Sequence, residues 1–181
     1  MNLRKGLRIL QRRLSEQGLG VTALWAADHA ARILTGANLR RVSQITSHLH
    51  VGGQYRKRGW PRLAARGVTA VVNLREEVDD RQRGIAPPRY LYLPTPDDGA
   101  PSPDDLRAGA AFIAGEVAQG GAAYVHCGSG IGRAPTLAAA YLVGTGLTAE
   151  QAWAQIRAVR PFIRPTAAQL DSIERLAAER R

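Results

Sequence analysis

The chain has 181 residues, of which 45% are apolar and 22% are charged, and this composition excludes wholesale disorder. Its length predicts one globular domain with appended elements. The longest apolar run, at residues 134–143, is shorter than the roughly 20 residues of a membrane span. Because Cys127 is the only cysteine, the chain can form neither an internal disulfide nor a multi-cysteine zinc site.

The net charge is +10, and residues 1–41 carry eight cations against two anions. Such an excess favours anionic partners, which include nucleic acid, an anionic membrane surface and a phosphorylated substrate. Nucleic acid is not expected, because only 6% of the residues are aromatic and no basic stretch has interleaved aromatics for stacking.

The basic residues 1–41 are expected to form a helical extension. Leu3, Leu7, Leu10 and Leu14 predict a basic amphipathic helix over residues 2–17, ended by Gly18 and Gly20. A second helix is expected over 22–35, before Gly36. Interspersed cations exclude a secretory signal, so we expect a cytoplasmic protein, with a peripheral position at the inner membrane face as a variant. We favour helices that pack on the main domain; docking to an anionic lipid surface is the alternative.

Residues 42–181 alternate strand and helix patterns. Strands are predicted at 45–51, 68–74, 90–93 and 122–126, and helices at 60–66, from Ser102 onward, after Gly132, at 148–158 and at 166–180. Ser102 and Asp105 match a helix cap, so the acidic pair Asp104 and Asp105 is explained by the helix terminus and no catalytic role is expected for it. The fold class is therefore α/β, with a central, mostly parallel sheet flanked by helices and an amino-terminal helical extension.

The segment Val125 to Thr136, VHCGSGIGRAPT, carries the chemistry. A strand ends at Cys127, a helix begins near Arg133, and three of the five residues between them are glycine. Such a loop directs backbone N–H groups and a helix N-terminus at one anion, and Arg133 can bind two phosphate oxygens. A cysteine at its edge is expected as a thiolate placed to attack phosphorus. A buried structural cysteine is the ordinary alternative, and the agreement of strand, glycines, arginine and helix favours catalysis.

These residues resemble the cysteine-dependent protein tyrosine phosphatases, and more narrowly their dual-specificity branch, over residues 44–178. The family motif is His-Cys, five residues, Arg, and the segments at 45–54, 71–76 and 93–101 agree with it. The resemblance implies hydrolysis of phosphate monoesters of tyrosine, and also of serine and threonine, through a cysteinyl-phosphate. It implies catalysis by Cys127, Arg133 and Asp97 without metal or cofactor, and phosphate binding by the loop residues Gly128, Ser129, Gly130, Ile131 and Gly132.

The general acid is expected on the loop at residues 93–101. A departing alkoxide or phenoxide needs a proton, which a carboxylic acid beside the thiolate can supply. Asp97 follows Pro96, where the family places its acid, and Asp98 is the competitor. The resemblance gives His126 a structural role, in which the imidazole bonds to backbone and shapes the loop. Gln169 is a candidate for positioning water, although a glutamine on the helix surface is the more ordinary interpretation.

One departure from the family concerns Ala134. Most relatives have serine or threonine directly after the arginine, where the hydroxyl helps to release the thiolate, and Thr136 lies two residues too late. The run from Gly132 to Pro135 resembles the phosphatases of regenerating liver, so we expect slow breakdown of the intermediate. Arg160 and Arg164 are expected either at the rim of the site or as solvated helix-end charges.

Two other functions compete with a protein phosphatase. A lipid phosphatase acting on phosphoinositides or phosphatidylglycerophosphate would suit the basic amino-terminal helix. A phosphate-binding module without turnover is disfavoured, because Cys127, Arg133 and Asp97 occur together.

Overall fold

The computed structural model describes the backbone of residues 3–179 and the side chains of residues 11–179. Its helices and strands, in chain order, are α1 (Leu3–Thr35), β1 (Leu49–Gly53), α2 (Trp60–Ala64), β2 (Val68–Arg75), β3 (Arg89–Thr95), α3 (Pro103–Ala118), β4 (Ala122–Cys127), α4 (Arg133–Gly144), α5 (Ala149–Val159) and α6 (Ala167–Ala178). Single 3₁₀ turns lie at 40–42 and 57–59.

The four strands form one parallel sheet in the order β1-β4-β2-β3. Every residue of β4 is buried, and Cys127 at its end lies beside Gly53 of β1. Helix α4 packs against α3, α5 and α6, and its Ala- and Leu-rich surface is buried nearly all round. The predicted parallel α/β sheet with flanking helices is confirmed. Because parallel strands end at the same edge, the loops after β1, β2 and β4 meet there.

Two predicted strands have different bounds in the structure. Residues 45–48 form a tight turn, in which the N–H groups of Ile45 and Thr46 donate to Leu49 O at 2.8 and 3.2 Å, so β1 begins only at Leu49. Strand β3 continues through Pro94 to Thr95 instead of ending before the proline. Proline is tolerated there because β3 is an edge strand and needs no N–H on its outer side.

The extension is one long helix, α1, interrupted at Gly18 by non-helical backbone (φ 78°, ψ 171°), so the two predicted helices meet at that kink. Gly20 lies within the second half instead of ending the first. Residue 2 and the side chains of Leu3, Leu7 and Leu10 lie outside the described part, while Leu14 is 38% exposed. Within residues 3–179, no helix has the length and apolarity to cross a membrane. The domain boundary after residue 41 and the cellular location stay predictions.

Candidate active site

The loop between β4 and α4 turns around the sulfur of Cys127. Cys127 is 3% exposed, and the N–H of Gly130 donates to its Sγ at 3.3 Å. Gly130 has a φ of +68°, and a Cβ there would lie 2.3 Å from the carbonyl carbon and oxygen of Gly52. Only glycine therefore fits at this turn of the loop.

The backbone carbonyls of the loop are all hydrogen-bonded on its outer side. All five of its carbonyl oxygens accept hydrogen bonds from groups outside it: Gly128 from Arg32 Nη1 (2.9 Å), Ser129 from Arg160 Nη2 (3.0 Å), Gly130 from Arg160 Nε (2.6 Å), Ile131 from the N–H of Arg164 (2.7 Å), and Gly132 from the N–H and Oγ1 of Thr136 (both 3.0 Å). The C=O and the following N–H of a trans peptide point in opposite directions. Outward carbonyls therefore direct the N–H groups of residues 129–133 inward, as an anion requires.

Arg133 opens α4 with its side chain 2% exposed. Its Nη1 donates to Thr95 O at 2.7 Å, and its two terminal nitrogens bind both oxygens of Glu77 at 3.0 and 3.2 Å. Burial by itself lowers the pKa of Arg133, but the Glu77 hydrogen bond and the nearby Cys127 and Asp97 charges outweigh it and raise the pKa. The Arg133 hydrogen bond in turn holds the pKa of Glu77 below its ordinary value. Both groups therefore stay charged.

The two candidate acids have different surroundings. The Asp97 Oδ1 lies 2.7 Å from Arg133 Nη2, and the Asp97 side chain is 75% exposed. Asp98 has a φ of 61° and contacts Thr166 through its backbone carbonyl, with no ion pair of its carboxylate among the described residues. The structure thus brings the exposed Asp97 side chain to Arg133 and leaves Asp98 outside that contact.

His126 has a different partner from the one expected. Its Nε2 lies 2.8 Å from Asp80 Oδ2, and both side chains are fully buried. The expected bond to backbone is therefore wrong: a carboxylate from the loop after β2 fixes the imidazole. Asp80 also accepts from Gln54 Nε2 at 2.8 Å, so the loops after β1 and β2 are joined to the end of β4, next to Cys127.

Gln169 is fully buried, which contradicts its interpretation as a helix-surface residue. Its Oε1 accepts from the N–H of Thr166 and caps α6, while its Nε2 donates to Gly99 O at 2.7 Å. A Cβ on Gly132 would lie 2.9 Å from Gln169 Oε1. Gln169 therefore joins α6 and the acid loop and lies against the phosphate-binding loop, while its role in positioning water stays a prediction.

Arg160 and Arg164 match neither of the expected interpretations. Arg160 is fully buried, and besides the two loop carbonyls it donates to Val42 O at 2.8 Å and pairs with Asp28 at 3.3 Å. Its burial lowers its pKa, a change that the Asp28 charge opposes. Arg164 is 27% exposed and pairs with Glu16 of α1 at 2.6 Å. Both arginines connect the catalytic body to α1 instead of facing a substrate.

Four residues around the site were not identified from the sequence: Asp28, Arg32, Glu77 and Asp80. Glu77 and Asp80 follow directly on the segment 71–76 that resembles the family, and their acidic character just past a buried strand was a usable signal. Asp28 is one of two anions among residues 1–41, which marks it as a partner for a buried cation. Nothing in the sequence distinguishes Arg32 from the other cations of α1.

The residue after Arg133, Ala134, has no hydroxyl, and the hydroxyl of Thr136 does not take that place. Ala134 is fully buried. The Thr136 hydroxyl donates to Gly132 O on the outer side of the loop. The prediction that Thr136 does not stand in for the missing hydroxyl therefore agrees with the geometry.

A sulfur beneath inward amides, closed by a buried arginine at the end of a central parallel strand, defines a cysteine-dependent phosphatase. Residues 49–147 match the family model described as "Polymorphic toxin system, DSP-PTPase phosphatase". The chain belongs to this family of dual-specificity phosphatases, which confirms the resemblance and the enzyme class predicted from the sequence.

Relatives and solved structures agree with this assignment. Mouse dual specificity protein phosphatase 14 is 30% identical over 75% of this chain and 69% of its own length. A phosphatidylglycerophosphate phosphatase of Arabidopsis thaliana, PTPMT2, is 31% identical over 66% of this chain and 55% of its own. The crystal structure of PTPMT1 has a TM-score of 0.68 at 26% identity, covering 76% of this chain and 94% of that one.

Proposed function

We propose that the protein hydrolyses phosphotyrosine, and also phosphoserine and phosphothreonine, through a cysteinyl-phosphate on Cys127. The observation that carries this proposal is the loop with all five carbonyls bonded on its outer side, which directs its amides to the place where phosphate oxygens gain charge. The mouse relative bears the name of a dual specificity protein phosphatase, which supports a phosphoprotein substrate.

In the first step the Cys127 thiolate attacks phosphorus, the S–P bond forms and the bond to the leaving oxygen breaks. Asp97 gives its proton to that oxygen. Arg133 and the inward amides bind the three equatorial phosphoryl oxygens. A substrate phosphate that binds Arg133 takes the place of the Asp97 carboxylate, which lies on Arg133 at 2.7 Å in this structure.

In the second step a water attacks phosphorus, the S–P bond breaks and inorganic phosphate leaves. The Asp97 carboxylate takes the proton of that water, so the acid and the thiolate return to their starting forms. Gln169, which is buried and bonded to Gly99 O of the acid loop close to Gly132, is the side chain that we assign to orienting this water. No step needs a metal ion, because the amides and Arg133 meet the phosphate charge.

Rapid quenching of a phosphotyrosine peptide reaction followed by mass spectrometry tests the intermediate. The wild-type protein is expected to carry one phosphoryl group on the peptide that contains Cys127, and Cys127→Ser is expected to lose both label and turnover while it still binds vanadate. Label on another residue, or turnover by Cys127→Ser, contradicts the proposal.

The acid is tested separately with a matched pair of variants. Asp97→Asn is expected to lower kcat about 10²–10⁴-fold on a phosphopeptide, because the leaving oxygen loses its proton donor. The neighbouring Asp98→Asn removes the same charge from the same loop and is expected to change kcat less than twofold, since surface changes are usually about neutral. Equal losses, or a larger loss in Asp98→Asn, would reverse the assignment.

A lipid phosphatase is the second candidate, and α1 supplies the observation that favours it. Leu19, Ile33 and Leu34 are 77%, 44% and 74% exposed, and Arg58 donates to the backbone carbonyl of Ile33. Exposed leucines beside cations suit an anionic lipid surface. The Arabidopsis relative is named a phosphatidylglycerophosphate phosphatase. Rates on phosphatidylglycerophosphate or phosphoinositide vesicles that exceed the rate on phosphopeptides would favour this candidate.

A further inference from the structure

The second half of α1, residues 19–34, presents only apolar residues to the solvent. Eight of these sixteen residues are exposed, and none of the eight has a polar side chain: Leu19, Gly20, Ala23, Ala26, Ala27, Ala30, Ile33 and Leu34. At 3.6 residues per turn they fall within about 140° of the helix circumference, so they form one continuous strip about 24 Å long. We call this strip the apolar face of α1.

The polar residues of the same half point to the body of the protein instead. Asp28 is buried and accepts hydrogen bonds from the N–H of Leu39 at 2.9 Å and from Asn38 Nδ2 at 2.6 Å. Arg32 is half-buried and donates to Gly128 O at 2.9 Å. The described side chains of α1 contribute to neither of the two apolar clusters of the core. Helix α1 is therefore oriented opposite to the usual surface helix of a globular protein, which buries its apolar side.

Cations surround this apolar face. Arg58 donates to the carbonyl oxygen of Ile33, and Arg62 donates to that of Thr35 at 3.5 Å, so two exposed arginines lie beside the carboxyl end of the face. Residues 1–66 carry 13 cations and two anions, whereas residues 67–181 carry 12 cations and 13 anions. The net positive charge of the chain therefore belongs to the part that contains α1.

Exposed carboxylates are missing from this surface. Asp28 is the only acidic residue between positions 17 and 75, and it is buried. A continuous exposed apolar surface is typical of a contact site, and its cationic border selects for an anionic partner.

We propose that the apolar face of α1 docks on an anionic lipid bilayer, with Arg58 and Arg62 at the lipid phosphates beside it. Apolar side chains enter the boundary between headgroups and acyl chains, and the cations add attraction to anionic lipids. The structure supplies both of these contributions on one surface. The inference concerns where the protein binds, and it holds whether its substrate is a phosphoprotein or a lipid.

A second copy of the chain suits this face less well. Two copies joined there would bring together two segments that each have a large excess of cations, and such like charges repel each other. The energy of protein interfaces is concentrated in bulky side chains near the centre of the contact. The bulky residues Leu19, Ile33 and Leu34 instead lie at the two ends of the face, and its centre consists of alanines.

Cosedimentation of the full-length protein with lipid vesicles tests the docking. Wild type is expected to bind vesicles that contain phosphatidylglycerol at least about tenfold more strongly than vesicles of phosphatidylcholine alone, and to lose this difference in high salt. Leu19→Gln with Leu34→Gln is expected to weaken binding to the anionic vesicles about tenfold, because two leucines no longer enter the lipid. Arg58→Gln with Arg62→Gln is expected to weaken it by a similar factor of about ten.

Two matched controls make the same kinds of change on other helices. Ala108→Gln with Ala111→Gln places two glutamines on exposed positions of α3, and Arg157→Gln with Arg175→Gln removes two exposed cations from α5 and α6. Both controls are expected to bind anionic vesicles within about twofold of wild type. All four double variants are expected to keep the wild-type rate on p-nitrophenyl phosphate, which shows that they fold. A wild-type protein that binds vesicles but does not hydrolyse this compound refutes the phosphatase proposal and leaves the docking intact.

Three results would overturn the docking while leaving the phosphatase proposal intact. The first is a wild-type protein that does not bind vesicles containing phosphatidylglycerol. The second is equal binding by the Leu19→Gln, Leu34→Gln variant and its α3 control. The third is a dimer, seen by sedimentation equilibrium without lipid, that Leu19→Gln with Leu34→Gln dissociates, which would assign the apolar face to a second copy of the chain.

Discussion

The inner and outer faces of the phosphate-binding loop are built in different ways. The inner face consists of Cys127, the following amides and Arg133, seven consecutive residues of one strand–loop–helix segment. The outer face is bonded by Arg32 on α1, Arg160 and Arg164 after α5, and Thr136 on α4. Chemistry is thus supplied locally, whereas the shape that makes it possible is held largely by Arg32, Arg160 and Arg164, which are distant in sequence. Breaking either face should stop the enzyme, but with different signatures.

Among changes that leave Cys127, Arg133 and Asp97 in place, Gly130→Ala should have the largest effect, because Gly130 belongs to both faces. The added Cβ would meet the Gly52 backbone at 2.3 Å, and the loop must shift to admit it. We expect a loss in kcat/KM of about 10²-fold or more, as for other displaced oxyanion donors. The measurements are turnover of a phosphopeptide and the free energy of unfolding by urea.

Gly120→Ala provides the control for backbone strain. Gly120 also has a positive φ, 78°, but no atom lies within 4 Å of its ideal Cβ, and it follows α3. It is expected to lose about 1–2 kcal/mol of stability from the left-handed backbone and to keep its activity. If Gly130→Ala behaves in the same way, steric contact with Gly52 does not shape the loop.

Asp28→Asn should show what the outer face contributes. Asp28 is 4% exposed and pairs with the fully buried Arg160, which binds the carbonyls of Ser129 and Gly130. Removal of one charge of a buried pair costs about 3–5 kcal/mol, because the other charge stays buried and uncompensated. We expect that loss of stability together with a lower kcat. Slower alkylation of Cys127 by iodoacetate would report the looser loop independently of substrate.

A surface pair gives the matched comparison for Asp28→Asn. Asp171 pairs with Arg175 on α6, with both side chains more than half exposed. Asp171→Asn is expected to cost at most about 1 kcal/mol and to leave alkylation unchanged. If Asp28→Asn lowers stability but leaves kcat and alkylation at wild-type values, α1 is only a structural attachment and does not position the loop.

The same division explains how much the sequence could predict. The inner face was predicted residue by residue, since a nest of amides needs glycines, a cysteine and an arginine at fixed spacing. The parallel sheet followed from alternating strand and helix patterns. The burial of Arg160 and the partner of His126 could not be predicted, because each depends on a contact between segments far apart, Asp28 with Arg160 and Asp80 with His126. The sequence pattern of one segment does not indicate which distant segment it contacts in the fold.

The smallest expected effect concerns Ala134, where the resemblance places a hydroxyl on the inner face in most relatives. Ala134 is fully buried, so a serine hydroxyl there must find an acceptor. A bond to the departing Cys127 sulfur, worth about 1 kcal/mol, would speed breakdown of the cysteinyl-phosphate about fivefold. Wild type is expected to show a burst of product followed by a slow steady state, and Ala134→Ser a faster steady state with a less distinct burst.

Thr136→Val tests whether a hydroxyl on the outer face of the loop contributes to breakdown of the cysteinyl-phosphate. It removes the hydroxyl that donates to Gly132 O on the outer side and leaves the N–H of Thr136 bonded to the same carbonyl. If the outer hydroxyl has no part in thiolate release, Thr136→Val keeps the wild-type ratio of burst rate to steady-state rate, while Ala134→Ser changes it. An unchanged steady state in Ala134→Ser would show that breakdown of the intermediate is not slow. A changed ratio of burst rate to steady-state rate in Thr136→Val would instead show that the Thr136 hydroxyl assists release of the Cys127 thiolate.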